Sequence, residues 1–316
     1  MKNYRYAAEE GRVALREILL GFLPEAGRFP TPIEGFALHR YDHSDTAKPH
    51  FYNPILIVAV QGKKWVRIGI NDISFGEHTC FIAGVNMPVT SCLLEATPEM
   101  PYLSMSLDLD RHLMAALAAK TPPPIEYNTD TAVGAAVQEL TQELLDAFLR
   151  MIELLDQPEQ AKTLGALIYQ EIHYRLLATP FGHQLRLLNS VGSQSHKINQ
   201  AILWLRENYR EALQVDKLAA TLNMASSTLY KHFKEVTTLS PLQYQKRLRL
   251  DEAQRLMLVE NCDVIQAALM VGYESANQFS REYKRLFGEP PRKNVVTIRT
   301  GRQSSLETGV GRSSRS

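Results

Sequence analysis

Two stretches in the last third of the chain repeat one pattern of apolar residues, and this repeat restricts the fold more than any other feature. When residues 215–224 are laid over residues 264–273, apolar or small residues coincide at Val215 and Val264, Leu218 and Ala267, Ala219 and Ala268, and Leu222 and Val271. After one extra residue in the second copy, the matching pairs are Leu229 and Phe279, Lys231 and Arg281, Phe233 and Tyr283, and Lys234 and Lys284. The spacing predicts two copies of a helix, a short turn and a second helix, at residues 215–236 and 264–287.

The residues between the two helices of each copy suit a tight bend. Asn223 and Gly272 stand at the two bends, and both residue types tolerate the positive φ with which a chain leaves a helix. Ser226 or Ser227 in the first copy, and Ser275 in the second, are expected to cap the next helix by accepting from its exposed backbone N–H groups. Each copy therefore has a local signal for the start of its second helix.

The second helix of each copy is expected to turn polar side chains outward. In the first copy Leu229 and Phe233, four residues apart, face inward. The outward residues are Ser227, Thr228, Tyr230 and Lys231 in the first copy, and Asn277, Gln278 and Arg281 in the second. A helix-turn-helix reads the major groove with such residues, because an amide pairs with the edge of adenine and a guanidinium with that of guanine. The alternative is a plain helical module with solvated polar residues, which fits one copy better than two matched copies.

A long helix is predicted between the two copies, from the sequence SPLQYQKRLRLDEAQRLMLVE. Ser240 is expected to cap it, and Pro241 falls in the first turn, where its missing N–H does no harm. About 18 helical residues span roughly 27 Å, so modules at its two ends could enter successive major grooves roughly 34 Å apart. The predicted phosphate contacts are Lys246, Arg247 and Arg249 on this helix, with Lys234, Lys284 and Arg285 on the second helices of the copies. Exposed cations without a function are the alternative.

The charge distribution agrees with a polyanionic partner for the last third of the chain. The whole chain has a net charge of +1. Residues 195–316 hold 19 Lys and Arg against 12 Asp and Glu, a balance of +7, whereas the first 194 residues hold 16 against 22, a balance of −6. A clustered positive face attracts phosphates even on a nearly neutral molecule, so double-stranded DNA is the expected partner, although an ordinary solvated basic face has the same composition.

The first 110 residues read mainly as short strands. After a predicted helix at about residues 7–23, Pro24, Pro30 and Pro32 are expected to exclude regular structure from the segment PEAGRFPTPIEG. Runs rich in β-branched and aromatic residues follow, namely PILIVAVQGKKWVRIGI, HTCFIAG, PVTSCLLEA and YLSMSLDLD. They predict six to eight strands in a small barrel or sandwich. The alternation of apolar and polar residues in YLSMSLDL is typical of a half-buried sheet face.

A helical pair is predicted behind the strands. In residues 131–157, apolar residues recur every three or four positions, which indicates an amphipathic helix, and a second helix is expected at residues 161–178 after a break at Pro158. The apolar stripe could pair two subunits in a homodimer or pack on the chain's own sheet. Residues 189–196, NSVGSQSH, have linker composition, and the polar, Gly- and Ser-rich last residues are expected to be disordered.

Two long segments resemble the DNA-binding domain of the AraC/XylS family of bacterial transcription regulators. They are SSTLYKHFKEVTTLSPLQYQKRLRLDEAQRLM and VIQAALMVGYESANQFSREYKRLFGEPPRK. The most specific parts of this resemblance are the sequence RLRLDEAQRLM between the two copies, the VGYES turn and the ending FGEPP. In the first half, NPILIVAVQGKKWVRIG and PYLSMSLDLD resemble the N-terminal domain of AraC-type regulators.

The resemblance implies an α+β chain in which a cupin-like N-terminal barrel or sandwich with a helical pair is linked to an all-α domain of two helix-turn-helix units joined by a long helix. It implies an effector or dimerisation domain at residues 1–188 with the helical pair at 131–178, a linker at 189–196, a DNA-binding domain at 197–293 and a disordered tail at 294–316. It places the base-reading positions on the outward residues named above. The first copy has Lys231 where an Arg would give bidentate contacts, so the second copy is expected to carry more specificity.

The resemblance also implies a cytoplasmic regulator, a small-molecule effector of unknown identity, and contact with RNA polymerase if the protein is an activator. Phe51, Tyr52, Trp65 and Tyr102 could line an effector pocket, or could simply form the core of a small barrel. The alternative functions are a non-specific DNA-binding or adaptor protein and a cupin-type metal enzyme.

The sequence offers little for catalysis or for a metal. His39, His43, His50 and His78 lack the HxH pair with a following Glu of enzymatic cupins, and HRYDHSDTAKPH has the composition of a surface loop. No catalytic constellation or cofactor motif is recognised, so neither an enzyme nor a cofactor is expected. Cys80, Cys92 and Cys262 are too scattered for a disulfide framework, which favours a reducing compartment, and Cys80 and Cys92 lie in apolar strand sequence typical of a core. No run of 18 apolar residues is present, and the acidic N-terminus differs from a signal peptide.

Overall fold

The computed structural model describes the backbone of residues 2–121 and 133–310, and the side chains of residues 10–121 and 133–300. The chain forms two compact units. The first comprises residues 1–202 and 219–240, and the second comprises residues 203–218 and 241–316. No helix of the described residues is long and apolar enough to cross a membrane.

The first unit contains a sandwich of two antiparallel sheets. Its ten strands are β1 (Gly27–Pro30), β2 (Phe36–Tyr41), β3 (Lys48–Tyr52), β4 (Ile55–Gln61), β5 (Lys63–Ile68), β6 (Asn71–Phe75), β7 (Thr79–Ala83), β8 (Met87–Glu95), β9 (Tyr102–Asp108) and β10 (Ala135–Glu139). Six strands form one sheet in the order β1-β2-β9-β4-β7-β10, and four form the other in the order β3-β8-β5-β6. The prediction of a small barrel or sandwich is confirmed in the form of a sandwich, but the predicted six to eight strands are too few for the ten among the described residues.

Helices cover one face of the six-stranded sheet. They include α1 (Lys2–Phe22), α2 (Arg111–Lys120), α3 (Gln142–Glu153), α4 (Pro158–Leu177) and α5 (Gly182–Asn189). Leu38, Val58 and Met105 of the sheet share one buried core with Phe148 of α3 and Ile172 of α4. The apolar stripe of α3 is therefore buried against the chain's own sheet, which is the second of the two roles that the sequence left open for it.

The helix predicted over residues 131–157 is wrong at its beginning. Residues 131 and 132 lie outside the described residues, and residues 135–139 are strand β10, which pairs antiparallel with β7. A strand forms because the far edge of β7 supplies backbone partners for it, with Val137 opposite Phe81. The helix begins only at residue 142, after Thr141 caps it by accepting from the N–H of Leu144. The second helix of the pair is confirmed, with Pro158 in its first turn.

The proline-rich segment after α1 is also more regular than predicted. Strand β1 lies at the edge of its sheet and ends at Pro30, which is opposite Ala37. Proline is tolerated there because an edge strand has one side without ladder hydrogen bonds. Strands β2 and β3 also form from sequence that was not predicted as strand.

Four helices at the end of the chain build most of the second unit. They are α9 (Pro241–Val259), α10 (Val264–Met270), α11 (Ala276–Phe287) and α12 (Pro291–Val310). Their core includes Leu256, Val271, Phe279 and Tyr283. Before them in the chain come α6 (Gln194–Glu207), α7 (Val215–Thr221) and α8 (Ser226–Thr237).

The start of α12 corrects the prediction of a disordered tail from residue 294. Val295 is buried in the core of the second unit, and the Asn294 Oδ1 atom accepts hydrogen bonds from Gln254 and from the Tyr283 hydroxyl. The Arg299 guanidinium donates to the carbonyl oxygen of Met257 at 2.7 Å. Residues 294–299 are therefore packed. The linker sequence at 189–196 is likewise short, because α5 ends at Asn189 and α6 begins at Gln194.

Candidate DNA-binding surface

The first predicted helix-turn-helix consists of α7, a turn and α8. Asn223 has a φ of 50°, as its place at the bend predicts, and the N–H of Met224 closes the turn on the carbonyl oxygen of Ala219 at 2.9 Å. The expected serine cap is wrong: Ala225 is the capping residue, and α8 begins at Ser226. Leu229 and Phe233 are fully buried, so the burial pattern fixes which side of α8 faces outward.

The predicted base-reading residues of α8 lie on its accessible side. Ser227, Tyr230 and Lys231 are exposed, and Thr228 is half-buried. Lys234, one turn beyond Tyr230, is also exposed. The structure thus brings two cations and three hydroxyl groups, one of them on an aromatic ring, together on one surface of a short helix.

The second predicted helix-turn-helix consists of α10, a turn and α11. Gly272 has the predicted positive φ, at 86°, and Ser275 caps α11 by accepting from the N–H of Gln278. Phe279 and Tyr283 are buried and their ring centroids lie 5.5 Å apart, which anchors the inner side of α11. Asn277, Gln278 and Arg281 are all exposed on the other side, as are Lys284 and Arg285.

Glu282 organises this surface and was not recognised in the sequence. Its carboxylate accepts hydrogen bonds from Lys246 at 2.8 Å, from the Tyr273 hydroxyl at 2.8 Å and from Gln278 at 3.2 Å. Burial acts to raise the pKa of Glu282, but these three donors outweigh it and hold the pKa below its ordinary value. The carboxylate is therefore ionised and holds the Gln278 amide in place beside Arg281.

The exposed cations of the two helices are not neutralised by the protein. Lys231 and Lys234 on α8, and Arg281, Lys284 and Arg285 on α11, form no salt bridge with any described carboxylate. Arg281 and Arg285 line a concave surface together with Gln278 and Glu282. Cations without an intramolecular partner are available to phosphates or to base edges.

The three cations predicted on α9 have intramolecular partners instead. The Arg249 guanidinium donates to four carbonyl oxygens, those of Tyr209, Arg210, Glu211 and Gly272, at 2.6 to 3.1 Å. Arg247 pairs with Asp251 at 2.7 Å, and Lys246 with Glu282. Because Arg249 donates to four backbone carbonyl oxygens and Arg247 forms a largely buried ion pair, we leave these two out of the candidate surface.

The histidines and cysteines of the first unit were weighed in the sequence as metal ligands or core residues. Within the parts of the chain that the structure describes, no three His, Cys, Asp or Glu side chains are grouped so as to hold a metal ion. His39 is not a loop residue as predicted. It lies on β2, and its Nε2 atom is 2.7 Å from the Ser106 hydroxyl. Cys80 is fully buried, and burial raises the pKa of its thiol to about 12, in agreement with its predicted place in the core.

Two family models match the chain. Residues 32–184 match the AraC-type transcriptional regulator N-terminus, and residues 218–294 match a helix-turn-helix domain. The first range contains strands β2 to β10, and the second begins within α7 and contains α8 to α11.

Curated relatives match about half of the chain. The HTH-type transcriptional activator RhaS of Escherichia fergusonii is 29% identical over 168 residues, which is 53% of this chain and 59% of RhaS. The HTH-type transcriptional regulator ArgR of Pseudomonas aeruginosa is 29% identical over 158 residues, which is 50% of this chain and 47% of ArgR. The chain thus spans about half of the length of the curated relatives that it matches.

One solved structure shows the same fold over most of the chain. ToxT from Vibrio cholerae strain SCE256, with an unsaturated fatty acid bound, has a TM-score of 0.51 at 11% sequence identity, and the match covers 83% of this chain and 95% of ToxT. At this identity the likeness concerns the fold alone. The two family models and the curated relatives, in contrast, concern the family, and they show that this chain belongs to the AraC/XylS family of transcription regulators.

Proposed function

We propose that this protein is a sequence-specific DNA-binding transcription regulator that inserts α8 and α11 into two successive major grooves. The observation that carries the proposal is the pairing of buried apolar anchors with unneutralised polar surfaces on both helices. Leu229 and Phe233 fix α8, while Phe279 and Tyr283 fix α11. On each helix the exposed side offers hydrogen-bonding and cationic groups near the N-terminus, where a helix-turn-helix meets base edges.

The proposed roles follow the chemistry of the exposed groups. The base-reading residues are Ser227, Thr228, Tyr230 and Lys231 on α8, and Asn277, Gln278 and Arg281 on α11. The phosphate contacts are Lys234, Lys284 and Arg285. Arg281 is expected to contribute the most discrimination, because a guanidinium can bind guanine with two hydrogen bonds and the Glu282 carboxylate fixes the neighbouring amide.

We further propose that the sandwich of the first unit binds a small effector, and that the protein acts as a cytoplasmic homodimer without catalytic activity. The match of residues 32–184 to the regulator N-terminus supports an effector domain. Leu164, Leu167 and Tyr174 of α4 are exposed at helical spacing, and such a face suits pairing with a second copy. Contact with RNA polymerase is part of the proposal if the protein is an activator.

The test measures both affinity and selectivity. Duplexes selected from a random pool by the full-length protein would be titrated with wild type, Arg281→Ala and Arg255→Ala at fixed salt. Arg255 is an exposed arginine of α9 that pairs with Glu252 and Glu260, so it controls for loss of charge alone. Arg281→Ala is expected to weaken binding by about 1 to 3 kcal/mol and to relax selectivity at one base pair, with little effect from Arg255→Ala.

A different result would contradict the proposal. If the wild-type protein selects no common sequence, the protein binds DNA non-specifically or acts as an adaptor. If selectivity is unchanged in Arg281→Ala, the assignment of Arg281 to base reading is wrong.

A further inference from the structure

The inner face of the six-stranded sheet is unusually polar for the interior of a sandwich. On β9, Leu103, Met105 and Leu107 face the helices, so the alternate residues Tyr102, Ser104 and Ser106 face the four-stranded sheet. The three are only 1%, 3% and 6% exposed. The polar face of this strand was predicted to be half-buried and instead lies inside the protein.

The neighbouring strand continues this polar surface. Tyr41 is paired with Tyr102 and His39 with Ser104 in the register of β2 and β9. The His39 and Tyr41 rings are stacked with their centroids 6.4 Å apart. Burial, together with Lys64 and Arg28, lowers the pKa of His39 to about 4, so this imidazole is neutral at pH 7.

A lysine enters the same region from the opposite sheet. Lys64 shares the inner face of β5 with Val66 and Ile68, both buried. Its amino group lies 5.5 Å from the centroid of the Tyr52 ring, and Tyr52 in turn contacts Phe81 of the six-stranded sheet, with centroids 5.3 Å apart. Lys64 thus reaches the space between the sheets, among Tyr41, Tyr52 and Tyr102.

No carboxylate of the described chain forms an ion pair with Lys64. Asp45, an acid near Tyr41, accepts from the N–H of Leu93 at 2.7 Å and pairs with Lys48 at 3.4 Å. Burial acts to lower the pKa of Lys64, but Tyr52 and Tyr102 outweigh it and the pKa lies above the ordinary value. Among the described residues, Lys64 is therefore a largely buried ammonium without a carboxylate counter-ion, an arrangement that is costly unless a partner anion is supplied.

Two hydroxyl groups beside Lys64 also indicate that a ligand supplies a hydrogen-bond acceptor at this place. The hydroxyls of Tyr52 and Tyr102 are buried and form no hydrogen bond of ordinary length with a described residue, although the first lies near the Lys64 amino group and the second near Ser104. Buried hydroxyls are normally paired, because leaving one unpaired costs free energy. An acceptor placed near the Lys64 amino group could receive hydrogen bonds from both. Tyr41, which is 38% exposed, stands at the outer side of this group and gives it an approach from solvent.

We propose that the end of the sandwich bounded by Lys64, Tyr52 and Tyr102 binds a small organic carboxylate. Its carboxylate pairs with the Lys64 ammonium and accepts from the two tyrosine hydroxyls, while its apolar part lies against the tyrosine rings. The identification of this ligand as the effector rests on the proposed function. The binding of a carboxylate at this place does not depend on it.

A carboxylate fits this group better than other ligands. One ammonium and two neutral hydroxyls match a single negative charge with several acceptor lone pairs. A phosphate would bring up to two charges to a site with one cation, and a neutral polyol would leave the buried ammonium unpaired.

The test compares matched ligands on the full-length protein. Calorimetric titration would use linear carboxylates from butyrate to decanoate and benzoate, each beside the amide of the same skeleton, and inorganic phosphate. At least one carboxylate is expected to bind wild type, with its amide and phosphate binding roughly tenfold or more weakly. Lys64→Met is expected to lose this binding. Lys63→Met is the matched control, because Lys63 is the exposed neighbour on the same strand.

Tyr102→Phe gives a second, milder variant in case Lys64→Met does not fold, and it is expected to weaken carboxylate binding while the amide is unaffected. The proposal is overturned if no carboxylate in the series binds, if an amide or phosphate binds as tightly, or if both variants bind like wild type. DNA binding measured on the same preparations separates the two ideas. Selective DNA binding without carboxylate binding removes only this inference, and carboxylate binding without selective DNA binding removes only the proposed function.

Discussion

The backbone N–H of Gly134 donates a hydrogen bond to the carbonyl oxygen of Val236, at a distance of 3.1 Å. Gly134 directly precedes β10, and Val236 lies in the last turn of α8, where helix carbonyls lack intrahelical partners. A second contact lies nearby along the helix, because Gly69 of the β5–β6 hairpin packs against the side chain of Thr238. The end of α8 is therefore attached to the sandwich within one compact unit.

We expect Gly134→Ala to destabilise the first unit. A Cβ at this position would lie 2.5 Å from the Val236 carbonyl oxygen and 2.9 Å from Val85, so the helix end must move away. The expected loss is about 1 to 3 kcal/mol of unfolding free energy, measured by chemical denaturation. Gly21→Ala is the control: nothing lies within 4 Å of its Cβ, and alanine favours a helix by up to about 1 kcal/mol. Equal stability of the two variants would contradict a close contact at Gly134.

We expect Gly272→Ala to lower the stability of the second helix-turn-helix by more than the cost of a positive φ at an alanine. Gly272 has a φ of 86°, and a Cβ there would lie 2.2 Å from the carbonyl oxygen of Arg210. Gly288 has a similar φ of 81° with nothing within 4 Å, so Gly288→Ala measures the strain alone, about 1 to 2 kcal/mol. Thermal unfolding of both variants should show a clearly lower Tm for Gly272→Ala. A Tm as high as that of Gly288→Ala would show that the turn adapts freely.

Arg249→Met is expected to lower stability rather than to remove a phosphate contact. The substitution leaves carbonyl oxygens at Tyr209, Arg210, Glu211 and Gly272 without their shared donor, at a cost of about 2 to 4 kcal/mol. Arg255→Met, an exposed arginine of the same helix, should cost about 1 kcal/mol or less. For folded Arg249→Met protein, we expect the DNA affinity to fall with salt concentration as steeply as it does for wild type. A reduced slope with unchanged stability would restore Arg249 to the phosphate contacts.

Stability should fall as the pH is lowered from 7 to 4, and His39 should account for part of the fall. In the unfolded chain this imidazole takes up a proton near pH 6.5, whereas in the folded protein its pKa is lowered to about 4 by burial, Lys64 and Arg28. The unfolded state therefore binds more protons in this window, which disfavours folding at low pH by roughly 3 kcal/mol. His39→Gln keeps a hydrogen-bonding side chain near Ser106 and should show a shallower decline of unfolding free energy. Parallel curves for variant and wild type would contradict the assignment.

The two helix-turn-helix copies could be predicted because their signals are local. The helical spacing of Leu229 and Phe233, the positive φ tolerated by Asn223 and Gly272, and the serine before α11 all act within a few residues of one another. The burial of Phe279 and Tyr283 follows from the same spacing. Where all local preferences agree, the element and its outward residues can be identified from the sequence.

The remaining features depend on partners that are distant in the chain. Residues 135–139 have the apolar spacing of a helix, yet they form a strand because β7, more than fifty residues earlier, offers an open edge. The alternation of apolar and polar residues in YLSMSLDL predicts strand β9 correctly. Its polar side is buried because the second sheet covers it, and the alternation does not indicate that sheet. Arg249 has a structural role because it donates hydrogen bonds to the carbonyl oxygens of residues 209–211. The carboxylate of Glu282 accepts hydrogen bonds from Lys246 and Tyr273, which are distant in the sequence. The spacing of residues along the sequence indicates none of these partners.

The path of the chain through its two units has a consequence for dissecting the protein. Residues 203–218 belong to the second unit, the chain then returns to the first for residues 219–240, and it re-enters the second at Pro241. A fragment cut at the start of α6 would therefore carry α8 without Gly69 and Gly134, the backbone neighbours on which the helix end rests. Exchanging the front half of this protein for that of a relative would replace those neighbours too, so a working chimera would have to preserve both glycines.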